Sequence, residues 1–82
     1  MKDRNGKTSI QVIDRMMGLI DVLSKSGNPM NLKDLSQITN LHPSTTHRIL
    51  NALTQYRIID KVQTGSYRLG TRLLELGNIT KT

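Results

Sequence analysis

Between Ile10 and Lys25, the side chains of Ile10, Val12, Ile13, Met16, Met17, Leu19, Ile20 and Leu23 fall on one half of a helical wheel. Gln11, Asp14, Arg15, Gly18, Asp21 and Lys25 fill the other. The spacing predicts an amphipathic helix. Thr8 or Ser9 would cap its start, Gly27 would close it in the left-handed conformation, and Pro29 would block its resumption. A second, shorter helix follows. Asn31 is placed to cap it, Asp34 lies three residues on, and Leu32, Leu35 and Ile38 are expected to face the core. Asn40 would end it.

Only "TNLHP" separates this helix from a third, so the two are joined at a sharp angle, as in a helix-turn-helix. The third helix, about residues 43–56, reads "PSTTHRILNALTQY". At about 100° per residue, Thr46, Ile49, Leu50 and Leu53 lie within roughly 50° of one direction, and Ser44, His47, Arg48, Asn51 and Gln55 cluster opposite. Beyond Tyr56 the period changes. "RIIDKV" is rich in β-branched residues, "QTGS" offers Gly65 for a turn, and "YRL" can return as a partner strand, giving a wing over about residues 58–69. A short extra strand is also possible near Met30. Gly70 interrupts the second strand, and "TRLLELGN" resumes helical spacing.

The fold class that follows is mainly α with a small β-hairpin. Its element order is that of a winged helix-turn-helix with a three-helix core, a wing and the start of a linker helix. Residues 1–8 read as a flexible basic N-terminal arm, 9–70 as the winged domain and 71–82 as the beginning of the linker. With 82 residues, the chain has room for one small core and no deep cleft.

Composition narrows the function. There is no Phe, Trp or Cys, so aliphatic side chains and Met must fill the core, and thiolate chemistry and disulfides are excluded. Twelve Lys and Arg against six Asp and Glu give a net charge of +6, which suits an anionic partner. No long apolar run suggests a signal or membrane segment, so a cytoplasmic protein without a membrane partner is expected. The acids Asp14, Asp21, Asp34, Asp60 and Glu75 are scattered and form no set with a nucleophile and base, so an enzyme is not expected. His42 and His47 are five residues apart and point in different directions on a helix, so neither a metal site nor a cofactor is expected.

The outward face of the third helix is the candidate site. Ordinary solvated helix faces favour Lys and Glu, whereas this one carries Ser, Thr, His, Arg and Asn. Each can bond a base edge or phosphate without adding a repelling carboxylate. Pro43 at the first helical position leaves the next N–H groups free to meet a phosphate. Arg48 is the candidate for bidentate contact with guanine, and Asn51 for adenine. In the hairpin, Lys61, Thr64, Ser66 and Arg68 are candidates to grip phosphates, while Tyr67 is expected to pack inward.

The stretch from Leu32 to Gly77 resembles the N-terminal DNA-binding domain of the isocitrate lyase regulator (IclR) family of bacterial transcription factors. The likeness runs from about Ser9. It is carried by Leu41, Ser44, Thr45, His47, Arg48, Leu50 and Leu53, and by "YRLG" followed by "LLELG". The resemblance implies a regulator that binds double-stranded operator DNA as a homodimer or higher oligomer. A larger C-terminal domain, outside these 82 residues, would sense a small organic effector. By position it assigns Pro43, Ser44, Thr45, Thr46, His47 and Arg48 to DNA, with the wing near Thr64 to Ser66. Two departures stand out: Arg57 occupies a place where the family commonly has Gly, and "VQTGS" makes a shorter wing than many members have. The rival expectation is a winged-helix protein-interaction module without base readout.

Overall fold

The computed structural model describes residues 10–81. The expected arm over 1–8 and the caps at Thr8 and Ser9 lie outside them. The chain forms α1 (Gln11–Ser26), α2 (Leu32–Thr39), α3 (Pro43–Gln55), β1 (Ile59–Lys61), β2 (Tyr67–Leu69) and α4 (Thr71–Thr80). This is the order expected for a winged helix-turn-helix.

The helix ends are where local chemistry dictates. Gly27 closes α1 at φ 74°, and Asn31 accepts the Asp34 N–H through Oδ1 at 2.8 Å to start α2. Asn40 ends α2 in the left-handed conformation at φ 57°. There its N–H reaches the Gln37 carbonyl and the Leu41 N–H reaches that of Ser36. The end of α3 repeats this pattern one element later. Arg57 stands at φ 58°, its N–H donating to the Thr54 carbonyl and the Ile58 N–H donating to that of Leu53. Both are Schellman closures, in which a left-handed residue turns the chain so that its own N–H and the next one meet the last free carbonyls. In each, the following apolar residue, Leu41 or Ile58, packs on the core. Arg57 thus fills a slot that suits glycine.

The core is a cluster of Leu19, Leu23, Leu35, Ile49, Leu50, Leu53, Ile59 and Tyr67, with Met16, Val22 and Met30 among the side chains packed against it. Tyr67 is buried, as expected. β1 and β2 pair antiparallel, with Ile59 opposite Leu69 and Lys61 opposite Tyr67, and Gly65 supplies the positive φ at the turn. The extra strand reduces to a single bridge, Met30 to Tyr67, with N···O distances of 2.9 and 2.7 Å.

One expectation about the core is corrected. Ile38 is 59% exposed, because α2 buries Leu35 and Ser36 and so turns Ile38 roughly 110° from the centre of its buried side. Of the apolar stripe on α1, only Leu19 and Leu23 are fully buried. Ile13 and Met17 are 47% and 45% exposed because, at about 100° per residue, they turn roughly 90° or more from the side shared by Met16, Leu19 and Leu23.

Candidate nucleic-acid interface

Helix α3 is anchored by Thr46, Ile49, Leu50 and Leu53, all buried. That fixes the outward side. Ser44, His47, Arg48 and Asn51 are exposed along it, and Thr45 is half-buried at its edge. No carboxylate stands in α3. Among the described residues no acid pairs with Arg48, Lys61 or Arg68, so these cations keep their charge available for an anion.

Thr46 is the exception among the candidates. It is fully buried, and its Oγ1 donates to the His42 carbonyl at 3.1 Å. A hydroxyl turned back into its own helix cannot reach a nucleic acid, so the assignment of Thr46 to DNA is withdrawn. Its role is to seat the helix.

The N-terminus of α3 is built by a residue that sequence reasoning had not given this task. His42 precedes Pro43, the first helical residue, and its Nδ1 accepts the Ser44 N–H at 3.2 Å and lies 2.8 Å from the Ser44 hydroxyl. Histidine is not among the preferred N-caps. The signal was nonetheless present: Pro43 at the first helical position marks the residue before it as the cap. His42 thereby orders Ser44 at the positive end of the helix dipole, where an anion is favoured.

The wing candidates do not share one face. Residues alternate across a strand, so Ile59, Lys61 and Tyr67 lie on the core side of the hairpin and Asp60 and Arg68 on the other. Lys61 Nζ lies 5.8 Å from the Tyr67 ring centroid, within cation–π range, which holds it near the wing's base. Thr64 Oγ1 donates to Ser66 Oγ at 3.3 Å across the turn. Arg68 lines a separate depression with Gly27, Asn28 and Pro29. The hairpin therefore offers Lys61 and Arg68 in different directions.

Beside the recognition face a groove opens between α1 and α3. Val12, Met16, Ile49, Ala52 and Leu53 form its floor, and Arg15, Thr45 and Arg48 contribute polar lining. No group of His, Asp and Glu suited to holding a metal ion occurs among the described residues.

Comparison with known proteins settles the family. The model of the IclR helix-turn-helix domain matches residues 12–63. The chain belongs to the IclR helix-turn-helix family. It is 31% identical over 70 residues to the HTH-type transcriptional regulator XynR of Escherichia coli K12, covering 84% of this chain and 28% of XynR. A shorter match, 37% over 51 residues, links 62% of the chain to 14% of the O-methyltransferase gsfD of Penicillium aethiopicum, a small segment of that enzyme. In fold, the IclR-type transcriptional regulator of Alicyclobacillus acidocaldarius superposes with a TM-score of 0.83 at 19% identity, over 88% of this chain and 30% of that one. This IclR-type chain spans less than a third of the length of each of these proteins.

Proposed function

We propose that the chain is the DNA-reading part of a transcriptional regulator and binds double-stranded DNA sequence-specifically. In this reading α3 lies in the major groove, and the N-terminus of α3 and the wing hold phosphates. The observation that carries it is the outward face of α3: Ser44, His47, Arg48 and Asn51 exposed together, without a carboxylate, on a helix whose other side is locked into the core. Membership of the IclR helix-turn-helix family supports it, as does the similarity to XynR, a transcriptional regulator.

Within the site, Arg48 is assigned to guanine O6 and N7 and Asn51 to adenine N6 and N7, because these side chains match those edges with two hydrogen bonds each. Pro43, Ser44, Thr45 and His47 approach the backbone near the helix start. Lys61, Thr64 and Ser66 contact phosphates from the wing, with Arg68 at the far side of the hairpin. Two copies on a roughly palindromic site, working in the cytoplasm, complete the proposal. A small-molecule effector would act through a further domain.

Selection from a random duplex library tests the reading directly. It should enrich a motif whose protein affinity falls steeply with salt, with a log–log slope of roughly −0.9 per phosphate neutralised. A library that yields no motif would refute direct readout, and binding insensitive to salt would refute the phosphate contacts. A DNA-versus-RNA duplex competition adds the partner class: the absence of Phe and Trp leaves few stacking platforms for single strands.

A further inference from the structure

Helix α4 buries no residue, and Leu74 and Ile79 are 66% and 70% exposed. Packing on the core therefore does little to set its direction. What ties it down is a set of bonds to Arg57 and its neighbour Ile58. The Arg57 carbonyl accepts the Arg72 N–H at 3.1 Å, and Gly70 N–H donates to the neighbouring Ile58 carbonyl at 2.8 Å. The Arg57 guanidinium donates to Thr71 Oγ1 and, through both Nη atoms, to the two carboxylate oxygens of Glu75, each at 3.3 Å. Arg72 Nη1 also donates to Glu75 Oε1, at 3.2 Å. Glu75 is thus held by two guanidiniums.

Arg57 is also the left-handed residue that terminates α3. Its backbone closes the recognition helix while its side chain and carbonyl hold the first two turns of α4. A glycine would serve the turn with less strain and provide none of the side-chain grip. The pair is exposed and contributes little to stability, but a forked guanidinium on a carboxylate fixes geometry in a way a point charge does not.

We propose that Arg57 is a positioning residue: with Glu75 it sets the direction of α4 relative to the recognition helix, and so the spacing at which two copies joined beyond α4 read their half-sites. The spacing part rests on the DNA-reading function proposed above; the direction of α4 does not.

Residual dipolar couplings of the 82-residue protein test the direction. In the wild type, amides of residues 72–77 should fit the same alignment tensor as α1–α3. In Arg57→Gly, which is free of backbone strain, and in Glu75→Gln, they should not. The charge-swapped double variant R57E/E75R should restore the common tensor. A shared tensor in Arg57→Gly would overturn the proposal. Selection of paired half-sites from a duplex library, with two copies joined through a dimerising segment fused after Thr82, tests the consequence. The wild type should enrich one spacing, and Arg57→Gly should enrich the same half-site over a spread of spacings. An unchanged single spacing in the variant, or unpaired half-sites from the wild type, would overturn the spacing claim. Enrichment of no half-site by either protein would refute DNA reading instead, leaving the couplings to decide the direction of α4.

Discussion

The carbonyl of Arg57 occupies the space that a β-carbon on residue 70 would need, so Gly70 is fixed by contact rather than by conformation. Its own φ and ψ of −94° and 169° are open to any residue. The atoms in the way are the carbonyl oxygen and carbon of Arg57 and the carbonyl carbon of Ile58, all backbone, which cannot rotate aside. Gly70→Ala should therefore destabilise the fold by about 1–3 kcal/mol, the usual cost of overpacking. Gly77→Ala, inside α4 with open space around the added methyl, should not destabilise it. Urea denaturation of the two variants gives the comparison; equal stability would mean the strand-to-helix corner can open.

Thr46 and Arg48 are two positions apart and should fail in opposite ways. Thr46 is buried and bonded to the His42 carbonyl, so Thr46→Ala removes a packed methyl group and a hydrogen bond. It should cost about 1–2 kcal/mol of stability while leaving the preferred DNA sequence unchanged. Arg48→Ala touches no core contact and should stay within about 0.5 kcal/mol of the parent in stability. Its loss should appear in binding, as about 1–3 kcal/mol less discrimination at one base pair. Thermal unfolding paired with binding to the selected motif and its single-base variants separates the two effects.

That contrast shows what was legible in the sequence. The helical wheel put Thr46 inward; positional analogy with the family put it on DNA, and the structure sides with the wheel. Periodicity identified the helices and their faces because 3.6-residue spacing is a property of the chain itself. It could not say how much of a face finds a partner, and so Ile38 was placed in a core that does not reach it. Turns were readable where the residue type announces the backbone, as at Gly27, Asn40 and Gly65. At Arg57 the left-handed turn was hidden, because arginine carries no such signal; the glycine common there in the family was the clue. The outward face of α3 was readable from composition, whereas the split of Lys61 and Arg68 between two faces needed the register of β1 with β2.

The Arg57 guanidinium, with that of Arg72 next in effect, holds the Glu75 carboxyl below the usual glutamate range. A folded-state value depressed in this way contributes stability that is present above the ordinary glutamate value and is lost as pH falls through the lowered one. Wild type and Glu75→Gln should therefore differ at neutral pH and converge in acid, below the ordinary glutamate range. Amide exchange along residues 72–80, followed as pH is lowered and corrected for intrinsic rates, should show α4 loosening before α1–α3. A difference that persists unchanged into acid would show that the carboxylate does not hold the helix.

Gly18 lies in the interior of α1, where a residue without a side chain costs helix stability through the freedom it gives the unfolded chain. Family resemblance offers no reason for it, and neither does packing: its φ is not positive, and a β-carbon there would meet nothing within 4 Å. The space is a shallow groove shared with Val22, Ile38 and Leu41, so an added methyl would also shield apolar surface. Gly18→Ala should accordingly stabilise the protein by about 0.5–1 kcal/mol. For a domain of this size that corresponds to a rise in Tm of several degrees, at about 4–8 °C per kcal/mol. Calorimetry of the variant measures the shift. A fall in Tm would mean that the groove over Gly18 is filled in solution by a segment packed closely against α1, and that glycine is there to admit it.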